Sequence, residues 1–322
     1  MGCSGTPISS LVNPSRPTSR ECFRALPSSR SLRMEHGPIV LSTRSAVPVR
    51  DGTIRDTLAS GRSLLSSGVW LLRHYGRFQH ALQRCCPDVC RLAPIRCAAW
   101  HRGARYFRVG LAAGGDCFVK TDGDARLLER EVAAAQRLER TPQASEYTPR
   151  LLFRELTGPY AFAGFRWIEH IPLGTALGRP DFGRVAARLA DDLLRIVEVL
   201  EAAQIVHRDI TPENLLVGLD STHSLSERLT LIDFAFAVLD GVATADARVP
   251  AADLNVLGAG FSPAPGVWDD AYSCLRILAL MGEAAGDRFA ATVRQLRDRV
   301  GRRVYRHAVA PVAGRVAPGT NG

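Results

Sequence analysis

Four side chains form a set that could bind phosphate and a metal ion. The chain has 41 lysines and arginines, but only one of them is a lysine, Lys120. Lysine carries a compact ammonium on a flexible stem, which suits contact with phosphate oxygens in a way that the planar arginine fork does not. Asp209, Asn214 and Asp233 follow along the chain and offer oxygen ligands for a hard cation such as Mg²⁺. A compositional explanation stays open, since an arginine-rich chain must place its one lysine somewhere.

These side chains lie in three short motifs. Lys120 closes the apolar run 117–120 (CFVK), the second motif is 207–214 (HRDITPEN), and the third is 232–235 (IDFA). Taken in order, they resemble the lysine, the catalytic loop and the metal-binding triplet of protein-kinase-like phosphotransferases. Ala235 stands where that family usually has glycine, and this restricts the backbone torsion angle φ at the turn.

The resemblance implies an α+β fold with two lobes and a defined domain organisation. A small β-rich N-lobe would span residues 93–170, and a helical C-lobe would span 171–310. Residues 51–92 are predicted to form a helical N-terminal extension. The Ser-, Pro- and Arg-rich stretch 1–50 is predicted to be disordered or an overextended start, and the Gly- and Pro-containing tail 311–322 is predicted to be flexible.

Roles for the central residues follow from the resemblance. Asp209 would accept the proton of an attacking hydroxyl or orient that hydroxyl, while Asn214 and Asp233 would ligate Mg²⁺. Lys120 would bridge the α- and β-phosphates of ATP and pair with a glutamate on the following helix. Glu131 matches that position best, with Glu129 as the alternative.

Other positions would complete nucleotide binding. Gly103 is the one glycine of three that remains in the place of the glycine-rich loop, where Trp100 hinders close approach of phosphates. Backbone groups near Glu169 to Ile171, in the linker between the lobes, would bind the adenine edge.

Three residues would support the catalytic loop. His207 belongs to the loop itself, and Asp270 would hydrogen-bond to the loop backbone. Arg208 would pair with a phosphorylated segment between Asp233 and Gly258, in which Thr244 is the only hydroxyl residue.

The acceptor of the phosphate is the least determined part. Thr211 stands two residues after Asp209, where serine/threonine protein kinases usually carry lysine, and the chain ends about 50 residues after Asp270. Both departures suggest a trimmed kinase that resembles the lipopolysaccharide and sugar kinases of bacteria, or the Rio-like atypical protein kinases. The protein-kinase-like spacing of Asp233 and Asp270 leads us to favour a protein serine or threonine. A further alternative is a pseudokinase that serves as a binding scaffold.

Elements that would position these residues follow from hydrophobic periodicity. Two β-like runs, 106–111 and 116–120, are joined by the hairpin signal 112–115. Further strands are predicted at 151–153, within 160–171, at 215–217 and at 229–232. Helices are predicted at 54–85, 125–140, 186–203, 271–282 and 288–304. Pro87 and Pro94 indicate a break in regular structure after the first of these helices.

Composition limits the classes of partner and compartment. The formal charge of +9 is scattered as arginine without an accompanying aromatic pattern, so nucleic acid is not an expected partner. Of the eight cysteines, Cys85, Cys86, Cys90 and Cys97 cluster without the second knuckle of a zinc site, and free thiols in the cytoplasm are predicted.

The N-terminal half of the chain leaves peripheral membrane contact as an alternative. No segment reaches the length of a transmembrane helix, but helix 54–85 could lie on a membrane surface rather than pack on the domain. Gly2 and Cys3 match a lipidation pattern, which is short and occurs often by chance. Nothing in the sequence indicates an oligomeric state.

Overall fold

The computed structural model describes residues 54–95, 100, 103–241, 254, 256–282 and 289–307. Several sequence predictions lie outside these ranges. They are the disordered start at 1–50, the tail at 311–322, the lipidation pattern at Gly2 and Cys3, and the hydroxyl of Thr244.

The fold is a mixed α/β arrangement in which a five-stranded sheet lies mainly in the first half of the chain and the longest helices of the second half pack against the one at Phe182–Ala202. Its helices are α1 (Ile54–Cys85), α2 (Ala125–Glu139), α3 (Ala144–Tyr147), α4 (Leu173–Ala176), α5 (Phe182–Ala202), α6 (Asp270–Met281) and α7 (Ala290–Arg299). Its strands are β1 (Val89–Ile95), β2 (Arg105–Leu111), β3 (Asp116–Thr121), β4 (Leu151–Glu155), β5 (Phe162–Arg166), β6 (His170–Pro172), β7 (Ile205–Val206), β8 (Leu215–Leu219), β9 (Leu225–Leu231), β10 (Val238–Leu239), β11 (Val267–Asp269) and β12 (Val304–Arg306).

A small antiparallel sheet carries Lys120. Its five strands lie in the order β1-β2-β3-β5-β4. The predicted hairpin is present as β2 and β3, and its register places Tyr106 opposite Lys120. Because side chains alternate across a strand, Phe118 and Lys120 project from the same face of β3. The sheet thus fixes the direction in which the ammonium points.

Helix α1 packs on this sheet. Phe78 and Leu82 are fully buried and form one apolar cluster with Phe107 and Phe162 of the sheet. The helix also exposes apolar side chains, among which Leu72 is 90% exposed. Of the two fates considered for the helix, packing on the domain is therefore the one that the structure shows. None of the described helices is both long and apolar enough to cross a membrane.

The boundary that we predicted between residues 92 and 93 falls inside strand β1. This strand pairs with β2 from Val89 to Ile95, so the end of the predicted extension belongs to the sheet. Pro94 indicated a break in regular structure, but β1 is an edge strand. At an edge, proline can replace a residue whose N–H would face away from the ladder.

The helical part is built around α5. This helix buries Leu189, Leu193, Ile196 and Leu200 at the spacing that predicted it. Asp192 on the same helix is 2% exposed, and its Oδ2 accepts a hydrogen bond of 3.0 Å from Leu229 N. This contact ties α5 to β9, the strand that leads into Asp233.

The last described segment differs from the single basic helix predicted at 288–304. Helix α7 ends at Arg299, and Gly301 adopts a positive φ of +83°. Gly301 N donates to Asp269 Oδ2 at 2.7 Å, and the chain then returns as β12, which pairs with β11. Glycine enters this left-handed conformation at little cost, which explains the reversal.

The role of α1 in the core can be tested by its stability contribution. Replacing buried Phe78 by alanine should lower the free energy of unfolding by about 3–5 kcal/mol, because a large aromatic side chain leaves a cavity. The control Leu72→Ala removes an exposed side chain of the same helix and should change it by less than about 0.5 kcal/mol. Urea denaturation measures both, and equal small losses would show that α1 does not belong to the core.

Candidate active site

Lys120 is buried between two carboxylates from different parts of the fold. Its Nζ lies 2.8 Å from Glu131 Oε2 on α2 and 2.9 Å from Asp233 Oδ1, which follows β9. Lys120 and Glu131 are 5% and 6% exposed. The structure thus places Glu131 at Lys120, whereas Glu129 is exposed. The ion pairs join the sheet to the helical part.

Burial and charge act in opposite directions on these three groups. Burial alone would lower the pKa of Lys120, but Asp233 and Glu131 outweigh it and hold the pKa well above its usual value. Burial raises the pKa of Glu131 despite the nearby ammonium. For Asp233, burial acts upward, but Lys120 prevails and lowers the pKa. The lysine therefore stays charged, and Asp233 is favoured as a carboxylate.

A cavity of about 400 Å³ opens beside this triad. Its volume is within the range of about 300–1,000 Å³ that small-molecule sites occupy. One end of the cavity is charged and is lined by Lys120, Glu131 and Asp233, with the neutral amide of Asn214 beside them. The other walls are mostly apolar and include Ile95, Tyr106, Phe118, Phe165, Leu216 and Ile232.

The catalytic-loop motif brings Asp209 and Asn214 together. Asn214 Nδ2 donates to both the carbonyl oxygen and Oδ2 of Asp209, each at 2.9 Å. Asn214 also anchors the strand that precedes Asp233, because Ile232 N donates to Asn214 O at 2.9 Å. Asp209 itself is not among the residues that line the cavity. It lies behind Asn214, next to the charged end.

The triplet that begins with Asp233 has an unusual backbone. Asp233 adopts a left-handed conformation with φ of +66°, and Phe234–Phe236 form a 3₁₀ turn. Ala235 lies within that right-handed turn, so the position does not require the glycine that the resemblance leads one to expect. Aspartate tolerates the left-handed region better than most residues, which places the strained torsion on Asp233 itself.

His207 and Asp270 support loop 207–214 through hydrogen bonds to its backbone. Asp270 Oδ2 accepts from His207 N at 2.8 Å, and its Oδ1 accepts from Arg208 N at 3.3 Å. His207 Nδ1 accepts from Asp209 N, and Nε2 donates to Ile232 O at 3.1 Å. These partners fit a neutral imidazole, and burial lowers the pKa of His207 accordingly. Asp269, one residue earlier, provides the cap of α6 through Tyr272 N.

Arg208 has partners other than the phosphorylated segment that we predicted. The residue is 2% exposed, and its Nε donates to Phe236 O. Its guanidinium lies 5.1 Å from the ring centroid of Trp268 and 5.2 Å from that of Tyr305. Such cation–π contacts favour a buried guanidinium. Arg208 therefore joins the loop to β11 and β12.

Gly103 and Trp100 contact other parts of the fold and do not line the cavity. Gly103 has φ of +95°, and a Cβ there would lie 3.0 Å from Gly123 Cα, so the glycine permits two backbones to approach. It is not among the residues that line the cavity. Trp100 is buried in the core between α1 and the sheet, where its ring meets Trp70 edge-on. It does not line the cavity, so the expected obstruction of phosphate approach is not seen at this residue.

The linker lines part of the cavity, including His170 in the middle of the segment 169–171 that we predicted to bind the adenine edge. Trp167, Ile168 and His170 line the cavity, whereas Glu169 and Ile171 do not. Glu169 O accepts from Leu219 N at 2.9 Å, and Ile171 pairs with Val217 in the small sheet of β6, β8 and β9. The predicted adenine contacts of Glu169 and Ile171 stay predictions.

Three residues near the triad escaped the sequence analysis. Tyr106 and Phe118 line the cavity, and their rings lie 5.8 Å apart at an angle of 22°. Strand alternation around Lys120 was the signal that could have identified them. Asp122 follows Lys120 by two positions, and burial raises the pKa of its carboxyl. Its position only two residues after the single lysine could have identified Asp122 from the sequence.

The donor set at the charged end suits magnesium. Asp233 offers carboxylate oxygens. The Nδ2 atom of Asn214 donates to Asp209, so the amide oxygen of Asn214 points away from Asp209. Within the described ranges, no three His, Cys, Asp or Glu side chains form a cluster that could hold a metal. Mg²⁺ commonly binds through one or two protein ligands together with water and phosphate oxygens, so these two residues fit such an ion.

Comparison with known proteins identifies a similar solved structure but no matching family. No protein-family model matches this chain, and a search of curated proteins finds no match. A solved crystal structure of a kinase domain is similar with 13% sequence identity and a TM-score of 0.44. The similarity covers 62% of this chain and 65% of that one, which is less than two thirds of its length. We base the function on the contacts of this chain's own residues.

The buried ion pair can be tested with a double-mutant cycle. Lys120→Met leaves Glu131 as a buried charge without its cation and should lower the free energy of unfolding by about 3–5 kcal/mol. Adding Glu131→Gln removes that charge and should restore a large part of the loss. Urea denaturation of the two single variants and the double variant measures the coupling. Additive losses would show that the pair is not coupled.

Proposed function

We propose that this protein is a phosphotransferase that moves the γ-phosphate of Mg-ATP to a hydroxyl group. The observation that supports this most strongly is the convergence of Lys120, Glu131, Asp233 and Asn214 on one end of a ligand-sized cavity. The proposal includes a two-lobed kinase-like arrangement, in which the sheet of Lys120 would be the small lobe and the part around α5 the large lobe.

ATP would be bound in a defined direction. The apolar walls, including Phe118 of the sheet and Leu216 of the helical part, suit a flat adenine ring, and the linker lies along the same cavity. The triphosphate would then extend to the charged end. There Lys120 would contact phosphate oxygens, while Asp233 and Asn214 would hold the magnesium ion that neutralises charge on the phosphates.

Asp209 would act on the acceptor. Its carboxylate lies next to Asn214, so a hydroxyl beside it would face a phosphate bound at the charged end. As the hydroxyl oxygen forms a bond to the γ-phosphorus, the bond to the β-phosphate oxygen breaks and ADP leaves. Asp209 orients the hydroxyl and accepts its proton.

Removing the proposed catalytic carboxylates should abolish turnover. In Asp209→Ala we expect the rate of phosphate transfer or ATP hydrolysis to fall at least about 100-fold, in line with the loss of a general base. Asp233→Ala should abolish magnesium-dependent turnover, because a metal ligand is lost. A coupled assay that detects ADP release, run with and without Mg²⁺, measures both.

The matched control is Asp220→Ala. Asp220 is an exposed carboxylate in the turn between β8 and β9, at the other end of β8 from Asn214. Its loss should leave the rate unchanged. Wild-type protein that binds ATP without turning it over would instead support the binding scaffold of a pseudokinase.

For the acceptor, we propose a protein serine or threonine, with a glycolipid or sugar hydroxyl as the alternative. Thr211 favours the alternative, because its hydroxyl lies two residues after Asp209 where a cation would otherwise assist a protein kinase. Labelled ATP should be offered separately to a protein lysate and to purified envelope glycolipid. We expect label in protein, and label in the lipid fraction alone would contradict this choice. Asp209→Ala in parallel reactions controls for contaminating kinases.

A further inference from the structure

Both carboxylate oxygens of Asp209 accept hydrogen bonds from protein N–H groups. Asn214 Nδ2 donates to Oδ2 at 2.9 Å. Gly258 N donates to Oδ1 at 2.8 Å, although it lies 49 residues further along the chain. Together the two donors fix the rotation of the carboxylate. The second donor is a main-chain group, so sequence motifs could not reveal it.

Gly258 packs so closely against loop 207–214 that there is no room for a side chain at this position. Its φ is +64°, in the left-handed region, and a Cβ built there would lie 2.9 Å from Arg208 O. That oxygen belongs to the backbone of a loop residue that is itself buried and left-handed, with φ of +73°. Neither partner can move aside easily, so glycine is required by this close approach.

The turn that contains Gly258 is also fixed by hydrogen bonds to residues other than those of loop 207–214. Gly258 O accepts from Phe261 N and Ser262 N, both at 2.8 Å. Trp268 Nε1 donates to the preceding carbonyl, Leu257 O, at 3.1 Å, and Trp268 is 1% exposed. The guanidinium of Arg208 contacts the face of the same tryptophan. The amide of Gly258 is thus a preorganised donor rather than a mobile one.

We infer that Gly258 is a positioning residue, whose amide aims the carboxylate of Asp209 at the acceptor hydroxyl. This inference rests on the proposed phosphotransferase function. Thr211 stands where serine/threonine protein kinases usually carry lysine, and the donors that orient the carboxylate of Asp209 are the side-chain amide of Asn214 and the main-chain N–H of Gly258. A main-chain donor costs no reorganisation during the reaction, which is the condition for efficient electrostatic assistance. Gly258 contacts neither ATP nor the reacting atoms, and acts through Asp209.

The test compares Gly258→Ala with Gly260→Ala. Gly260 also has a positive φ, +83°, but a Cβ there would meet no atom within 4 Å. Both variants therefore carry similar backbone strain, and only Gly258→Ala disturbs the catalytic loop. We expect kcat of Gly258→Ala to fall at least tenfold, with KM for ATP changed less than twofold. Gly260→Ala should keep the wild-type kcat.

The outcomes that would contradict the positioning role of Gly258 can be distinguished from the outcome that would contradict the proposed function. An active wild type with an equally active Gly258→Ala variant overturns the positioning role. Loss of ATP affinity and thermal stability together with kcat in Gly258→Ala also overturns it, because the glycine would then serve the fold in general. A wild type without phosphate transfer overturns the proposed function, on which the positioning role depends.

The hydrogen bond itself can be followed without any catalytic measurement. Amide hydrogen exchange of Gly258 should be at least tenfold faster in Asp209→Ala than in wild type, because the acceptor is lost. The amide of Gly260 provides the internal control and should exchange equally in both. Equal exchange at Gly258 in the two proteins would overturn the inference even if its alanine variant were inactive.

Discussion

The rest of the site depends on one buried ammonium shared by two carboxylates. Lys120 on the sheet pairs with Glu131 on α2 and with Asp233 after β9, so three segments meet at one charge. A buried lysine persists only with such partners, and a buried glutamate beside it has the same requirement. A phosphate that enters the cavity would compete with Asp233 for Lys120. The contact with Asp233 and Glu131 keeps the lysine charged and in place.

Local sequence patterns predicted the parts of the site that lie within single elements. The 3.6-residue periodicity gave α1 and α5, and the hairpin signal gave β2 and β3, since each depends on neighbours in the chain. The pairing of Lys120 with Glu131 rather than Glu129 follows from which face of α2 is buried. Strand β1 was missed because Pro94 indicated a break, although an edge position tolerates it.

The contacts that escaped prediction are tertiary and mostly involve the backbone. Gly258 N donates to Asp209, and the guanidinium of Arg208 contacts both Trp268 and Tyr305, across long separations in sequence. Main-chain donors leave no signature in residue types, and the two aromatic rings become neighbours only through the pairing of β11 with β12. These contacts connect loop 207–214 to β11 and β12, so the loop is supported by residues distant in sequence as well as by its own hydrogen bonds.

The irregular edges of the five-stranded sheet have a consequence for solubility. The two outer strands, β1 and β4, each contain a register shift, between Val89 and Arg91 and between Leu151 and Phe153. Bulges twist a strand and interrupt its row of free N–H and C=O groups. An incoming strand from another molecule would therefore find no long, flat template at either end. The same irregularities protect the sheet against edge-to-edge aggregation while its interior stays regular enough to hold Lys120.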